Sequence, residues 1–472
     1  MLEQKLLERF ISITGAKNAL THKDNLDRYT HENRDLVVGK TPLVLKPGST
    51  QEVSDIVKLA AQTRTVLVPQ GGHTGHAGGG VPDESGSQIV VSLERMNKIR
   101  EVDLDGNVIV CEAGTILETL QTLAGENDRL FPLSLGSQGS CQIGGNISTN
   151  AGGTGVLAYG NTRQLVMGLE VVLPSGEIWN GLRRLKKDNT GYDLKELFIG
   201  AEGTLGIITA AVVKLFPKSR GQAIALCGLQ TPEKALSLLN QASSVAGHQL
   251  TTFELMAKTP MEFTFKHSQN VRNPLTQVYP WHVMIEISSN RSQEDADTSL
   301  QSILADALET ELIADAAVSS SLSQFQDIWR IREEMPPAQK REGTSIKHDI
   351  SVPVHCLPEF LKRADEIVAR ELPAARVCCF GHMGDGNMHY NISQAIGDDP
   401  QAFLDGRGHI NDLIHALVLK LDGSVSAEHG VGRFKRDLIA RTKDPVELEM
   451  MRNIKRTLDP HNIMNPDKVV VV

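Results

Sequence analysis

The sequence predicts a protein of two or three domains that mixes helices with strands, and three observations lead to this expectation. A chain of 472 residues is too long for a single hydrophobic core. Short apolar runs alternate along it with stretches whose apolar residues recur at helical spacing. An Asp385-Gly386 step between two strand-like stretches also indicates a tight hairpin.

The first part of the chain is expected to alternate helices and strands. Apolar residues at helical spacing between Leu2 and Ile11 predict an amphipathic first helix. Ser49 or Thr50 is expected to cap a second helix, over 51–63, with Glu52 near its positive end. Strands are expected at 42–45, 65–69 and 88–93, a hairpin within 99–111, and another helix at 116–124.

The composition argues against several classes of protein. The chain has 48 basic and 57 acidic residues, a formal charge of −9, and its basic residues are scattered, so no nucleic-acid partner is expected. No run of about 18 apolar residues predicts a membrane span. Six cysteines without a CxxC pair are expected to be reduced, and Glu3 and Glu8 argue against a transit peptide. These features predict a cytoplasmic protein.

The stretch CCFGHMGDGNMHYN at 378–391 concentrates metal-binding side chains. If Asp385-Gly386 forms a type I′ turn, His382 and His389 lie directly opposite each other. Cross-strand partners have Cβ atoms about 4.5–5.5 Å apart, close enough for two imidazoles to bind one ion. Because side chains alternate along a strand, Asn387 and Asn391 are expected on the same face.

A third metal ligand is expected in the later stretch SAEHGVG, from Glu428. Two histidines and a carboxylate predict a divalent metal site, with Zn²⁺ favoured by nitrogen ligands and Mn²⁺ or Fe²⁺ as alternatives. The open alternative is a surface hairpin whose histidines bind no ion.

Three glycine-rich segments are expected to bind a ligand through backbone N–H groups. The first, 70–80, has six glycines among eleven residues, and the others lie at 135–153 and 200–206. Without Cβ atoms the backbone can turn tightly and let a diphosphate approach closely. The first segment does not match GxGxxG, so the common nicotinamide-binding fold is not indicated. A flexible surface loop is the open alternative.

The segments PQGGHTGHAGG, GSCQIGGNISTNAGG and GAEGTLGIIT resemble the flavin-contacting segments of vanillyl-alcohol oxidase type FAD enzymes. With GHMGDGNMHYN and SAEHGVG they resemble the D-2-hydroxyacid dehydrogenase branch, over nearly the whole chain. The resemblance implies an α+β fold with a two-subdomain FAD-binding domain at 1–218. An antiparallel-sheet substrate (cap) domain carrying the metal hairpin would follow at 219–420, and a helical C-terminal segment at 421–472 would pack back on the FAD domain.

The resemblance also implies the cofactor contacts. Gly71, Gly72, Thr74 and Gly75 would cradle the pyrophosphate. His73 stands in a GGH context that carries the flavin covalently in other branches, and covalent attachment stays open here. The full set of expected FAD contacts is Pro69, Gly71, Gly72, His73, Thr74, Gly75, Gly78, Ser140, Gly144, Gly145, Thr149, Ala151, Gly152, Gly203, Ile207, Asn387 and Asn465.

For the reaction, the resemblance implies that a D-2-hydroxy acid is oxidised to the 2-oxo acid, with the hydride passing to flavin N5. The metal would polarise the substrate oxygens, and His429 would act as the base and bind substrate. Arg332 matches the family position that binds the substrate carboxylate. Lys347 and Asn391 match the hydroxyglutarate enzymes, which favours D-2-hydroxyglutarate or D-malate as substrate.

Several alternatives remain open at this stage. A monocarboxylate such as D-lactate or glycolate is the nearest alternative substrate, and a non-catalytic flavin-binding electron-transfer subunit is a different class. The family suggests an electron-transferring flavoprotein or a quinone as electron acceptor, with oxygen as a third possibility. A homodimer is a family expectation, and no membrane partner is expected.

Overall fold

The computed structural model describes residues 2–32 and 36–472, and the chain divides into two compact units. The first unit combines Met1–Gly153, Gly160–Pro217 and Glu428–Val472, and the second combines Thr154–Tyr159 with Lys218–Ala427. The boundaries expected from the sequence, after residues 218 and 420, lie beside the divisions after Pro217 and Ala427. The short segment Thr154–Tyr159 was not expected to leave the first unit.

The first unit contains three sheets. A four-stranded mixed sheet has the order Ala19–Leu20, Val44–Leu45, Ile89–Ser92, Leu67–Gln70. A five-stranded antiparallel sheet has the order Ile99–Asp103, Val108–Glu112, Ile207–Lys214, Val166–Val172, Ile178–Gly181. The short strands Phe216–Pro217 and Arg129–Leu130 form the third.

Helices complete the first unit, and those expected from the sequence are present. The amphipathic first helix spans Gln4–Thr14, and Thr50–Thr63 is capped by Ser49, whose Oγ accepts the Glu52 N–H at 3.2 Å. The other helices of the unit are Lys23–Thr30, Leu117–Glu126, Ile143–Ser148, Thr162–Leu165, Lys195–Phe198, Arg436–Thr442 and Pro445–Leu458.

The second unit is built on an eight-stranded antiparallel sheet. Seven strands follow the order Asp315–Val318, Gly221–Leu229, Trp281–Ser289, Leu250–Ala257, Arg376–His382, Asn387–Ser393, Ser345–Ile346, and Ile350–Ser351 also pairs with Asn387–Ser393. Its helices are Val156–Tyr159, Pro232–Ala246, Lys258–His267, Gln293–Glu309, Leu322–Glu333, Met335–Arg341, Leu357–Glu371, Pro400–Asp405 and Arg407–Lys420. The α+β class and the antiparallel sheet implied by the resemblance are confirmed.

The segment Thr154–Tyr159 belongs to the second unit because its helix packs beneath the hairpin that contains Gly384. A Cβ atom on Gly384 would lie 2.7 Å from Leu157 Cδ2, so this glycine leaves space for the leucine side chain. Throughout the described residues, no helix is both long enough and apolar enough to cross a membrane.

The C-terminal segment contains a buried ion pair whose lysine also bonds to the rest of the first unit. Lys455 Nζ donates to Asp459 Oδ2 at 2.6 Å, to Thr204 O at 2.8 Å and to Met464 O at 2.7 Å. The Lys455 and Asp459 side chains are 2% and 1% exposed, so the ion pair has little access to water. A buried charge of this kind is stable only when it is paired and hydrogen-bonded.

We expect Lys455→Met to lower the free energy of unfolding by about 3–5 kcal/mol, because it leaves the Asp459 carboxylate buried without its cation. Urea denaturation of the purified protein measures the change. Lys443→Met is the matched control, since Lys443 and Glu447 form a more exposed pair four residues apart and such pairs contribute about 0–1 kcal/mol. Equal effects of the two substitutions would contradict the prediction.

Candidate active site

The glycine-rich segments of the first unit line one cavity with an empty volume of about 1000 Å³, open mouth included. His429 also lines it, so the expected catalytic base and the cofactor loops share this cavity. Most of the expected FAD contacts form its wall: Pro69, Gly71, Gly72, His73, Thr74, Gly75, Gly78, Gly144, Gly145, Thr149, Gly203 and Ile207.

The remaining expected contacts occupy other positions. Ala151 O accepts from Thr162, and Asn465 Nδ2 donates to Gly79 O at 3.0 Å and to Glu202 O at 2.8 Å. Four of the remaining residues belong to the first unit but do not line the cavity: Ser140, Ala151, Gly152 and Asn465. The fifth, Asn387, belongs to the second unit. Contact with FAD stays a prediction for these five residues and for the twelve that line the cavity.

Glycine is required where the first two segments approach each other. A Cβ atom on Gly72 would lie only 2.2 Å from Ser140 O, closer than any side chain can come. Gly203 has a left-handed backbone with φ of 73°, a conformation that glycine adopts at low cost. The glycines therefore bring the backbone of three distant segments around one space.

Two cavity residues that the sequence analysis missed, Gln142 and Asn146, fit a nucleotide cofactor. Both are buried, and Gln142 Oε1 and Asn146 Oδ1 accept no hydrogen bond from the described residues. A buried polar atom without a partner is costly, so a ligand with N–H or O–H donors suits this wall. FAD carries such donors on its ribityl chain, adenine and isoalloxazine ring. The residues present fit FAD.

His73 lies in the cavity wall with a left-handed backbone, φ 58°. Burial lowers the pKa of the His73 imidazole, because it disfavours the charged form of the ring. Its Nε2 contacts the backbone oxygen of His31. Covalent attachment of the flavin to His73 stays a prediction.

The loop that carries His429 is anchored by Glu202, another residue that the sequence analysis missed. Glu202 Oε1 accepts the Val431 N–H at 2.7 Å, and Oε2 accepts the Gly432 N–H at 2.9 Å. Burial raises the pKa of Glu202, and these two N–H groups act in the opposite direction. Gly430 has a left-handed backbone with a φ of 75°, and residues 428–432 belong to no helix or strand.

Glu428, the expected third metal ligand, begins this loop in the first unit. Its Oε1 accepts the Gly153 N–H at 2.8 Å. A Cβ atom on the preceding Gly152 would lie 2.8 Å from the same oxygen, so the glycine permits the close approach of this carboxylate.

In the second unit the predicted hairpin forms with a different turn and register. Strands Arg376–His382 and Asn387–Ser393 pair so that Phe380 lies opposite His389. Met383–Asp385 forms a 3-10 turn, and Gly386 alone among the turn residues has a left-handed backbone, φ 82°. The predicted type I′ turn and the direct opposition of His382 and His389 are therefore wrong.

The side chain of Asp385 accounts for the difference. Its Oδ1 accepts the Asn387 N–H at 3.0 Å, a local turn that Asp forms readily without a positive φ. The following Gly386 is needed because a Cβ atom there would lie 2.2 Å from Val352 O. The connection is therefore two residues longer than the predicted turn.

The two histidines nevertheless lie on one face. A register shift of two residues preserves the face of every side chain, because side chains alternate with a period of two. The ring centroids of His382 and His389 are 5.8 Å apart, with the ring planes at 78°. The expectation that the two imidazoles come together is thus met by a different pairing.

A buried carboxylate, Glu254, connects His382 with Arg332. Arg332 lies on the helix Leu322–Glu333 and is 8% exposed, and its Nε donates to Glu254 Oε2 at 2.6 Å. Glu254 Oε1 contacts His382 Nδ1. Burial acts to raise the pKa of Glu254, but its interactions with His382 and Arg332 outweigh it and hold this pKa well below its usual range.

The other expected substrate contacts also lie in the second unit. Lys347 is exposed, next to the strand Ser345–Ile346. Asn391 is 5% exposed, and its Nδ2 donates to Gln339 Oε1 at 3.0 Å. Asn387, expected to contact FAD, donates through Nδ2 to Ile350 O at 2.8 Å. The hairpin therefore presents both amides in fixed orientations.

Comparison with known proteins gives a classification. Residues 41–181 match the family described as FAD binding domain, and residues 218–469 match FAD linked oxidases, C-terminal domain. The chain is 37% identical over 471 residues to the mitochondrial D-2-hydroxyglutarate dehydrogenase of Arabidopsis thaliana, covering 99% of this chain and 82% of the relative. It is 35% identical over 441 residues to the D-2-hydroxyglutarate–pyruvate transhydrogenase of Saccharomyces cerevisiae, covering 92% and 87%.

The fold is shared with more distant proteins. A structure of p-cresol methylhydroxylase superposes with a TM-score of 0.78 at 16% identity, covering 99% of this chain and 96% of the other. The two family matches define a flavoprotein of the FAD-linked oxidase type. The chain belongs to the FAD-dependent D-2-hydroxyacid dehydrogenases. It is an enzyme that uses FAD to oxidise D-2-hydroxy acids, which confirms the expected class and cofactor.

We expect Gly145→Ala to weaken FAD binding by about 10- to 100-fold, because overfilling a packed site costs about 1–3 kcal/mol. A Cβ atom on Gly145 meets no protein atom within 4 Å, yet this residue lines the cavity. The protein should therefore fold normally and lose only the ligand. Flavin absorbance per chain and titration of the apoprotein with FAD measure the effect.

Gly125→Ala is the control for this substitution. Gly125 also lies in a helix, and a Cβ atom there also meets nothing within 4 Å, but it does not line the cavity. The control should retain its flavin. If Gly145→Ala and Gly125→Ala bind FAD with equal affinity, the cofactor does not contact the cavity wall at Gly145.

Proposed function

We propose that this enzyme oxidises a D-2-hydroxydicarboxylate, D-2-hydroxyglutarate or D-malate, to the 2-oxo acid. The observation that carries the 2-hydroxy acid part of the proposal is the buried guanidinium of Arg332, and the choice of a dicarboxylate rests on the relatives. Its Nε is occupied by Glu254, and its Nη atoms donate to none of the described residues. Two adjacent Nη donors bind a carboxylate bidentately. When bound, FAD would supply the hydride acceptor at N5.

We assign His429 as the base that accepts the proton of the substrate hydroxyl. Histidine is the usual side chain for this step because it can accept a proton near neutral pH. Three features of the first unit support the assignment. His429 lines the cofactor cavity, its ring centroid lies 5.0 Å from that of His76, and its loop is anchored by Glu202.

A divalent metal is assigned to His382, His389 and Glu428, with Zn²⁺ favoured and Mn²⁺ or Fe²⁺ as alternatives. The donor set supports the assignment, because His382 and His389 lie together and Glu254 contacts His382 Nδ1. Ligand histidines commonly contact a carboxylate through the nitrogen that does not bind the metal. The ion would supply Lewis-acid polarisation of the substrate oxygens.

We assign Lys347 as the residue that binds the second carboxylate of the substrate. Asn391 is assigned a further polar contact with the substrate. The two related enzymes described above act on D-2-hydroxyglutarate by name, which supports a dicarboxylate. D-lactate and glycolate are the second candidates. One observation favours them, since Lys347 is exposed while Arg332 is buried, so the site has one enclosed cation for one carboxylate.

The electron acceptor and the assembly rest on the resemblance alone. An electron-transferring flavoprotein or a quinone would reoxidise the flavin, and the chain would form a homodimer. Oxygen was the third possibility from the sequence, and the name of the Saccharomyces cerevisiae relative adds a fourth kind of acceptor, the 2-oxo acid pyruvate. A cytoplasmic location remains an expectation from the sequence.

The proposal is tested by the visible spectrum of the flavin-loaded enzyme before and after anaerobic addition of D-2-hydroxyglutarate. We expect the flavin bands to bleach with D-2-hydroxyglutarate or D-malate and to persist with the L-enantiomers, because hydride transfer reduces the ring. His429→Asn should slow bleaching by about 100- to 10,000-fold, the usual contribution of a positioned base. If D-lactate bleaches the flavin and neither dicarboxylate does, the substrate is a monocarboxylate and the proposed substrate class is wrong.

Lys347→Met should lower kcat/KM for D-2-hydroxyglutarate by about 10- to 100-fold, because one charge-assisted hydrogen bond contributes about 1.5–3 kcal/mol. The value for D-lactate should not change, since this substrate has no second carboxylate. Lys340→Met is the control, because Lys340 is also an exposed lysine of the second unit. An equal loss of kcat/KM for D-2-hydroxyglutarate and D-lactate would show that Lys347 does not bind the second carboxylate.

A further inference from the structure

The strand Leu250–Ala257 contains one acidic residue in a largely apolar stretch, Glu254, and none of the expected roles includes it. The side chain is 1% exposed. Its backbone lies directly opposite that of His382 in the paired strands, so the two side chains share a face. Its two oxygens contact two different functional groups, His382 Nδ1 and Arg332 Nε.

We infer that Glu254 is a positioning residue that orients the metal-binding imidazole and the carboxylate-binding guanidinium together. The inference rests on the proposed function, because it assigns a metal to His382 and the substrate carboxylate to Arg332. A single rigid carboxylate sets both orientations, so neither group can turn without losing a buried hydrogen bond.

For His382, the contact selects the tautomer. A carboxylate oxygen accepts a hydrogen bond, so the proton of the ring lies on Nδ1. A metal bound by His382 would then be bound through Nε2, which carries the lone pair. Removing the carboxylate removes the preference for this tautomer.

For Arg332, the contact fixes the plane of the guanidinium. Nε is bound by Glu254, and the guanidinium carbon lies 4.7 Å from the centroid of the Phe380 ring, so both an edge and a face of the group are in contact. The edge formed by the two Nη atoms remains for a substrate carboxylate. The negative charge of Glu254 also offsets the repulsion between Arg332 and a cation bound at His382.

A second buried carboxylate of the same sheet provides a matched control. Glu286 is 6% exposed and lies on the neighbouring strand Trp281–Ser289. It accepts from Trp329 Nε1 at 2.8 Å and from Gln222 Nε2 at 3.1 Å, and it contacts neither His382 nor Arg332. Glu286→Gln therefore changes a buried carboxylate of this sheet without touching the two functional groups.

The experiment measures Zn²⁺ affinity of the flavin-loaded enzyme by competition with a chelator, and KM and kcat for D-2-hydroxyglutarate. Glu254→Gln has the size of glutamate, but its amide can accept from only one partner and presents N–H to the other. We expect Zn²⁺ affinity to fall by about 10- to 100-fold, as for other carboxylates behind metal-binding histidines, and KM to rise by about tenfold. Glu286→Gln should change neither quantity by more than about twofold.

Glu254→Asp separates positioning from charge. It keeps the negative charge but is one methylene shorter, so it reaches only one of its two partners, and we expect Zn²⁺ affinity or KM to recover, but not both. Thermal unfolding of each variant verifies that it is folded. Recovery of both quantities in Glu254→Asp, or wild-type values in a folded Glu254→Gln, would overturn the inference.

His382→Ala distinguishes this failure from failure of the proposed function. If the wild type binds Zn²⁺ and His382→Ala abolishes binding, the metal assignment stands and the Glu254 variants decide the inference alone. If His382→Ala leaves Zn²⁺ affinity unchanged, the metal assignment fails and the inference falls with it.

Discussion

The buried carboxylate of Glu202 is the interaction on which the first unit depends. Its side chain accepts backbone N–H groups of Val431 and Gly432, while its own N–H donates to Ser148 O and its carbonyl accepts from Asn465. One residue thus connects a glycine-rich segment, the end of the chain and the loop that carries His429. Because Glu202 is buried and also lines the cavity, the position of the loop that carries His429 is determined by the same contacts that shape the cofactor cavity.

The parts of the site that the sequence located are those with a local physical signature. Glycine-rich segments reveal places where the backbone must come close, and both histidines of the hairpin stand near a turn signal. The register of that hairpin was mispredicted because the Asp385 side chain extends the turn. Gly386 is also constrained by Val352 O, which lies more than thirty residues earlier in the chain, so local sequence does not reveal the contact. The face occupied by His382 and His389 was right because the error was an even number of residues.

The residues that were missed carry no such signature. Gln142 and Asn146 are two amides among many small polar residues, and Glu202 is an ordinary acid in a glycine-rich loop. Glu254 had one usable signal, since a lone glutamate in an apolar strand must find a cation or a strong donor when it is buried. Its partners come from a helix and from another strand, so only the tertiary structure identifies them. The fold class was more accessible, because apolar periodicity and turn residues determine individual elements.

The first unit is discontinuous, since Met1–Gly153 and Gly160–Pro217 are completed by Glu428–Val472. A ribosome that has finished the first two pieces must add the whole second unit before the third piece emerges. At ordinary elongation rates this interval lasts about 10–40 s, during which the glycine-rich wall exists without the loop of His429 and its anchor. The complete cofactor cavity, with His429 and its anchor in place, can therefore form only after nearly the whole chain has been synthesised.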